Sequence, residues 1–143
     1  MFPRGGLFLT GPVGCGKSTA LFRALEGEGL DVQGFRTPTC RRNGDVLGYA
    51  MKSLTRECPV EWRWIARFHG KKLAVYPHTF ESMGVRILQH ALEFPPDILV
   101  LDELGFFETS AWSFREALRA CLEAPFPVLG VLKECSAPLP EEV

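Results

Sequence analysis

The sequence predicts an α/β fold: a three-layer α/β/α arrangement around a mostly parallel sheet, with a β-hairpin insertion. Short apolar runs without helical period (GLFLT at residues 6–10, ILVL at 98–101, PVLGVL at 127–132) read as strands buried on both faces. Between them lie segments whose apolar residues recur every three to four positions, as helices packed on a sheet require. The turn dipeptide Asn43-Gly44 sits between two β-prone stretches and marks the insertion.

Residues 6–10 form the first strand, too short for a helix and running into a glycine cluster. Residues 17–28 follow as a helix with Ala20, Leu21, Ala24 and Leu25 on its buried stripe and a stop at Gly27 or Gly29. Residues 32–37 and 46–52 flank Asn43-Gly44 as the arms of a hairpin. Residues 62–68 and 72–76, separated by His69-Gly70, form a second one. Trp62 and Trp64 alternate around Arg63, so both face one side of one strand, packed in the core or, in the sharper reading, stacked on a base.

In residues 79–93, Phe80, Met83, Ile87, Leu88, Ala91 and Leu92 fall on one face of a helix that Pro95-Pro96 ends. Ser113 and Glu116 match a capping box, with Trp112 placed to staple onto Ala117. Leu118, Cys121 and Leu122 continue the buried face until Pro125. Residues 136–143 are proline-rich and acidic, a tail rather than an element.

A length of 143 residues fits a single domain spanning 1–143. A net charge of −1 supplies no global field for nucleic acid or anionic lipid, so neither is an expected partner. No apolar run approaches the ~20 residues needed to span a bilayer, and no signal segment is recognisable at the N-terminus. Cys15, Cys40, Cys58, Cys121 and Cys135 are dispersed, without a C-x-x-C pair, which fits a reducing compartment and the cytoplasm better than a disulfide framework or a zinc site. His69, His78 and His90 lack metal-ligand spacing and read as structural.

Chemistry concentrates in two motifs. Gly11-Pro12-Val13-Gly14-Cys15-Gly16-Lys17-Ser18 satisfies G-x-x-x-x-G-K-S/T between a strand and a helix. Glycines let backbone N–H groups turn toward phosphate oxygens, and the helix N-terminus adds partial positive charge. Lys17 reaches the β- and γ-phosphates, the Ser18 hydroxyl ligates Mg²⁺, and Thr19 contacts the α-phosphate. Cys15 lies inside this loop, where a helix N-terminus lowers a thiol pKa, although the x positions tolerate many residues.

The second motif is the acidic pair Asp102-Glu103 at the end of the apolar run 98–101, where ligands of open α/β sheets bind. Asp102 is expected to hold Mg²⁺ through water. Glu103 is expected to orient and deprotonate the attacking water, because water is a poor nucleophile without a base in hydrogen-bond reach. The expected ligand is a nucleoside triphosphate, ATP or GTP, and the expected reaction is Mg²⁺-dependent hydrolysis.

TGPVGCGKST, GFRT at Gly34 to Thr37 followed by GDVLGY, then HTFESMGVRILQHALE, ILVLDELGFFE and FPVLGVL resemble, in order, the nucleoside-triphosphatase family known as THEP1. The resemblance implies a compact P-loop NTPase fold and hydrolysis of ATP, GTP and other nucleoside triphosphates to diphosphates with Mg²⁺. It carries the family's phosphate-loop residues onto Gly11, Gly14, Gly16, Lys17, Ser18 and Thr19, and its acidic pair onto Asp102 and Glu103. Three departures stand against it: Phe106 where the family has a lysine, Pro38 and Thr39 where an acidic residue follows GF-x-T, and an end soon after Leu132 where relatives continue into a further strand. They imply slow or altered catalysis.

Two other readings remain. A small-molecule or nucleotide kinase also sets an acceptor against an Asp base, but no arginine-rich lid segment is visible. A nucleotide-dependent switch of low turnover would need a surface for a partner, and Phe106-Phe107 beyond the acidic pair is the candidate, with packing under a helix as the plainer role. Arg41 and Arg42 read as solvated turn residues or as cations folding over the triphosphate, and Arg36 is a further candidate for that contact.

Overall fold

The computed structural model describes residues 7–11, 29–58, 60–104 and 111–133, with backbone only at 7–11, 103, 132 and 133. Strands β1 (Leu7–Gly11), β2 (Val32–Arg36), β3 (Thr39–Arg42), β4 (Asp45–Ser53), β5 (Trp62–His69), β6 (Lys72–Val75), β7 (Ile98–Leu104) and β8 (Val128–Lys133) form one sheet. Its order is β1-β8-β7-β2-β4-β5-β6, with β3 on β4. Helix α1 is a continuous run of Pro77–Thr79, the π-helical Phe80–Gly84 and Val85–Glu93; helix α2 is Trp112–Glu123.

The sheet is half parallel rather than mostly so. β1, β8, β7 and β2 pair in parallel, whereas β3, β4, β5 and β6 pair antiparallel. The expected insertion is continuous with the sheet, because the carboxyl end of β2 uses its second edge to pair with β4, Phe35 with Ser53 and Arg36 with Lys52. Residues 32–37 are therefore not a hairpin arm. Pro38, which cannot donate to a ladder, separates β2 from β3, and β3 is the true arm. The turn is where the dipeptide predicts it: Asn43 and Gly44 both have positive φ, 52° and 85°, as a type I′ turn requires. The second hairpin, β5 and β6 around Gly70, also forms as expected.

Strands β2, β7 and β8 bury residues on both faces of the sheet. Leu99, Leu101, Val128 and Phe35 face α1 and α2, while Ile98, Val100, Leu129 and Val131 are buried on the opposite face. Among the described residues the helices cover one face; the helix expected at residues 17–28, which would make the third layer, lies outside them, as does the tail from 136. Gly34 explains the tight join of β2 to β7. Its φ is +124°, and a Cβ there would lie 1.8 Å from the Val100 carbonyl oxygen.

Helix α1 buries Phe80, Met83, Ile87, Leu88 and Ala91 as its periodicity predicts, but Leu92, at the rim, is exposed. Phe114, the third residue of α2, forms an aromatic triad with Phe80 and Phe35 at centroid distances of 5.1 and 6.0 Å. Gly84 permits this, since a Cβ there would meet the Phe114 ring at 2.9 Å. The capping box does not form. Helix α2 begins two residues early, its N-cap is Ala111, and the carboxylate of Glu81 in α1 accepts the Ser113 N–H at 2.8 Å instead. Trp112 is then the first helical residue, 68% exposed, not a staple. An acid reaching across from a packed helix satisfies an N-terminal donor as a local serine would.

Candidate active site

Parallel pairing brings the carboxyl ends of β1, β8, β7 and β2 to one edge of the sheet. Gly11, the first residue of the phosphate-binding motif, pairs with Lys133; Leu9 pairs with Val131, which pairs with Asp102. Gly11 therefore emerges two strands from Asp102, about 10 Å at the usual inter-strand spacing. Pro12, Val13, Gly14, Cys15, Gly16, Lys17, Ser18 and Thr19 lie outside the described residues, as do Phe106 and Phe107.

Asp102 is a carboxylate at the mouth of a core strand, only 4% exposed. Its backbone carbonyl accepts the Thr37 N–H, and Arg36, opposite it on β2, brings Nε to 3.7 Å from its Oδ2. The guanidinium is 45% exposed, so one cation bridges a buried carboxylate and solvent. Lys52, opposite Arg36 on β4, places a second cation in the same cross-strand row. Directly opposed like charges are unfavourable, and Asp102 on the other side of Arg36 offsets part of that cost.

The strand register shifts between Asp102 and Leu104, making Glu103 the extra residue of a bulge. Bulges break the ladder locally and recur beside active sites. The side chain of Glu103 is outside the described residues.

Arg41 and Arg42 pair with Val46 and Asp45 at the far end of β4. Seven residues of extended chain, roughly 23 Å, separate Asp45 from Lys52. The register therefore keeps them from the acidic pair, and they are exposed, as solvated turn residues should be. Arg36 is the cation that the fold brings in. Its pairing partner was invisible in the sequence, because parallel register between segments 66 residues apart has no local signature.

Cys121 is buried, its thiol 3.6 Å from the Leu88 carbonyl oxygen, and burial pushes its pKa up to about 12. His90 sits 3.5 Å from Glu57 and stacks near Phe94. His90 and Glu57 help line a cavity of about 470 Å³ at the amino ends of β2 and β7, with Asp31, Gln33 and Glu93. Three carboxylates there, Asp31, Glu57 and Glu93, repel a phosphate. Among the described residues no group of three His, Cys, Asp or Glu side chains could hold a metal ion. Mg²⁺ commonly takes one or two carboxylates together with substrate phosphates and water, so Asp102 supplies a fitting donor without such a cluster.

Known proteins are similar to this chain in sequence and in fold. The sequence profile of the family described as NTPase matches residues 6–143. The chain is 30% identical over 132 residues to the nucleoside-triphosphatase THEP1 of Sulfolobus acidocaldarius, covering 88% of this chain and 75% of the relative. It is 28% identical over 148 residues to the cancer-related nucleoside-triphosphatase homolog of Mus musculus, covering 94% and 76%. The solution structure of a human cancer-related nucleoside triphosphatase matches with a TM-score of 0.70 at 28% identity, over 96% of this chain and 80% of that one. The crystal structure of THEP1 from Aquifex aeolicus has the same TM-score of 0.70 at 22% identity over 91% and 77%, a likeness of fold. No described helix is long and apolar enough to cross a membrane. With a family match that runs from β1 through the acidic pair to β8, the chain belongs to the NTPase family of nucleoside-triphosphatases.

Proposed function

We propose that this chain hydrolyses nucleoside triphosphates, ATP and GTP among them, to diphosphates and phosphate with Mg²⁺, at the edge where β1 and β7 end. The observation that carries this reading is the register: it sets Gly11 and Asp102 two strands apart on one edge. Backbone N–H groups of the loop 11–18, all but Pro12, which has none, cradle the phosphates, and Lys17 offsets charge on the β- and γ-phosphates. Asp102 and Ser18 would hold Mg²⁺, whose charge, when bound, neutralises developing negative charge on phosphate oxygens.

Glu103 takes a proton from water as the water oxygen attacks the γ-phosphorus, and the electron pair of the broken bond stays on the β-phosphate oxygen. Arg36 orients the Asp102 carboxylate and, with Lys52, makes this edge attractive to a polyanion. That supplies positive charge near the site in a chain with Phe106 in place of the family's lysine.

Phosphate release from a panel of nucleoside triphosphates, with and without Mg²⁺, tests the proposal. Metal-dependent release without an added acceptor is expected, and its absence in folded protein overturns it. Release only when an acceptor is added supports a kinase instead.

A further inference from the structure

Trp62 and Trp64 do not fill the core. Trp62 is 52% exposed and meets Trp64 edge to face at 5.4 Å, while Arg67 covers the Trp64 ring at 5.1 Å. The two indoles, with Arg63, Tyr76, His78 and Thr79, line a cavity of about 480 Å³. Its size is that of a small-molecule site.

We propose that this cavity binds a planar aromatic anion, a nucleoside monophosphate by class, as a second nucleotide site. The exposed indole of Trp62 offers stacking to a base, which any base accepts because each has a π-face. Charge selects the rest: the lining carries Arg63 and His78 and no carboxylate, so an anionic group is favoured over a cationic one. A peptide strand is a poor fit, because the edge of β5 is already used. Tyr76 N–H donates to the Ile65 carbonyl, and the Thr79 hydroxyl donates to the Trp64 carbonyl.

Register fixes where this cavity lies. Asp102, Arg36, Lys52 and Trp62 stand in one cross-strand row, so the indole is three strands from the acidic pair, about 14 Å, and on the same edge. It is five strands from β1, about 24 Å, beyond the reach of one nucleotide anchored at Gly11. The proposal rests on the phosphate-loop reading only in assigning Lys17 to a different site.

Adenosine 5′-monophosphate and adenosine, titrated by calorimetry and tryptophan fluorescence into the protein and its variants, provide the test. Saturable binding is expected in the wild type and in Lys17→Ala alike. Trp62→Ala, at an exposed position, should weaken both ligands about tenfold or more with the circular dichroism unchanged. Arg63→Ala should weaken the monophosphate and spare adenosine. Absence of saturable binding overturns the proposal, as does binding unaltered by Trp62→Ala. Loss of binding in Lys17→Ala alone places the ligand in the phosphate loop and also overturns it. An oligomer in sedimentation that Trp62→Ala dissociates would make the cavity an interface between copies, which overturns the proposal too.

Discussion

The parallel and antiparallel halves of the sheet are held together by different means. In β7, four successive residues from Ile98 to Leu101 are each 0% exposed, so the strand is buried on both faces. In β4 and β5 burial is patchy: Met51, Ile65 and Ala66 are sealed, while Lys52, Trp62 and Arg63 reach solvent. A doubly buried strand projects its carboxyl end as a rigid rim, where a misplaced group is costly. A half-solvated strand offers side chains along its length. The proposed reacting groups sit on the first kind of strand and the exposed aromatic surface on the second. Substitutions should therefore separate chemistry from surface.

The largest effect is expected at the rim. Glu103→Gln keeps the side chain's shape and removes its basicity, so turnover should fall by ~10² to 10⁴ while nucleotide affinity is retained. Single-turnover phosphate release alongside calorimetric titration measures both; a wild-type rate at saturating Mg²⁺ and ATP would show that Glu103 is not the base. Lys17→Ala should instead abolish productive triphosphate binding in a folded protein.

The next effect is structural. Gly34→Ala puts a methyl group 1.8 Å from the Val100 carbonyl oxygen at a φ of +124°, which forces β2 from β7. A loss on the order of 3 kcal/mol is expected in urea unfolding, with turnover lost at the same time because Arg36 and Asp102 move apart. A variant as stable as wild type would mean that this join tolerates displacement.

Smaller again is the contact between helices. Glu81→Ala removes the carboxylate that accepts the Ser113 N–H, and a destabilisation of about 1 kcal/mol should appear in the same unfolding experiment. Raising pH acts on the same core through Cys121. Its folded pKa is raised, so the contribution is fully present below pH 9.0 and fades as pH climbs toward about 12. Cys121→Ala should flatten that alkaline decline.

The smallest effect belongs to the antiparallel end. Arg41→Ala with Arg42→Ala should leave turnover within about twofold, since exposed substitutions away from the site seldom matter more. A loss of a hundredfold would put one of them over the phosphates and contradict the strand register.

The sequence alone determined the elements that depend on neighbours along the chain. The apolar strands, the Asn43-Gly44 turn, the periodic face of α1 and the match of residues 11–18 to a phosphate-binding motif need only local period and residue type. Contacts between distant segments belonged to the tertiary structure. Parallel register brought Arg36 beside Asp102, and the second edge of β2 joined the hairpins into the main sheet. Packing of α1 on α2 let Glu81 replace a serine cap, and Trp62 stands in solvent rather than in the core. Local steric and hydrophobic preferences set what each segment is. Which segments meet depends on burial and hydrogen-bond pairing summed over the whole chain, and no window of sequence contains that sum.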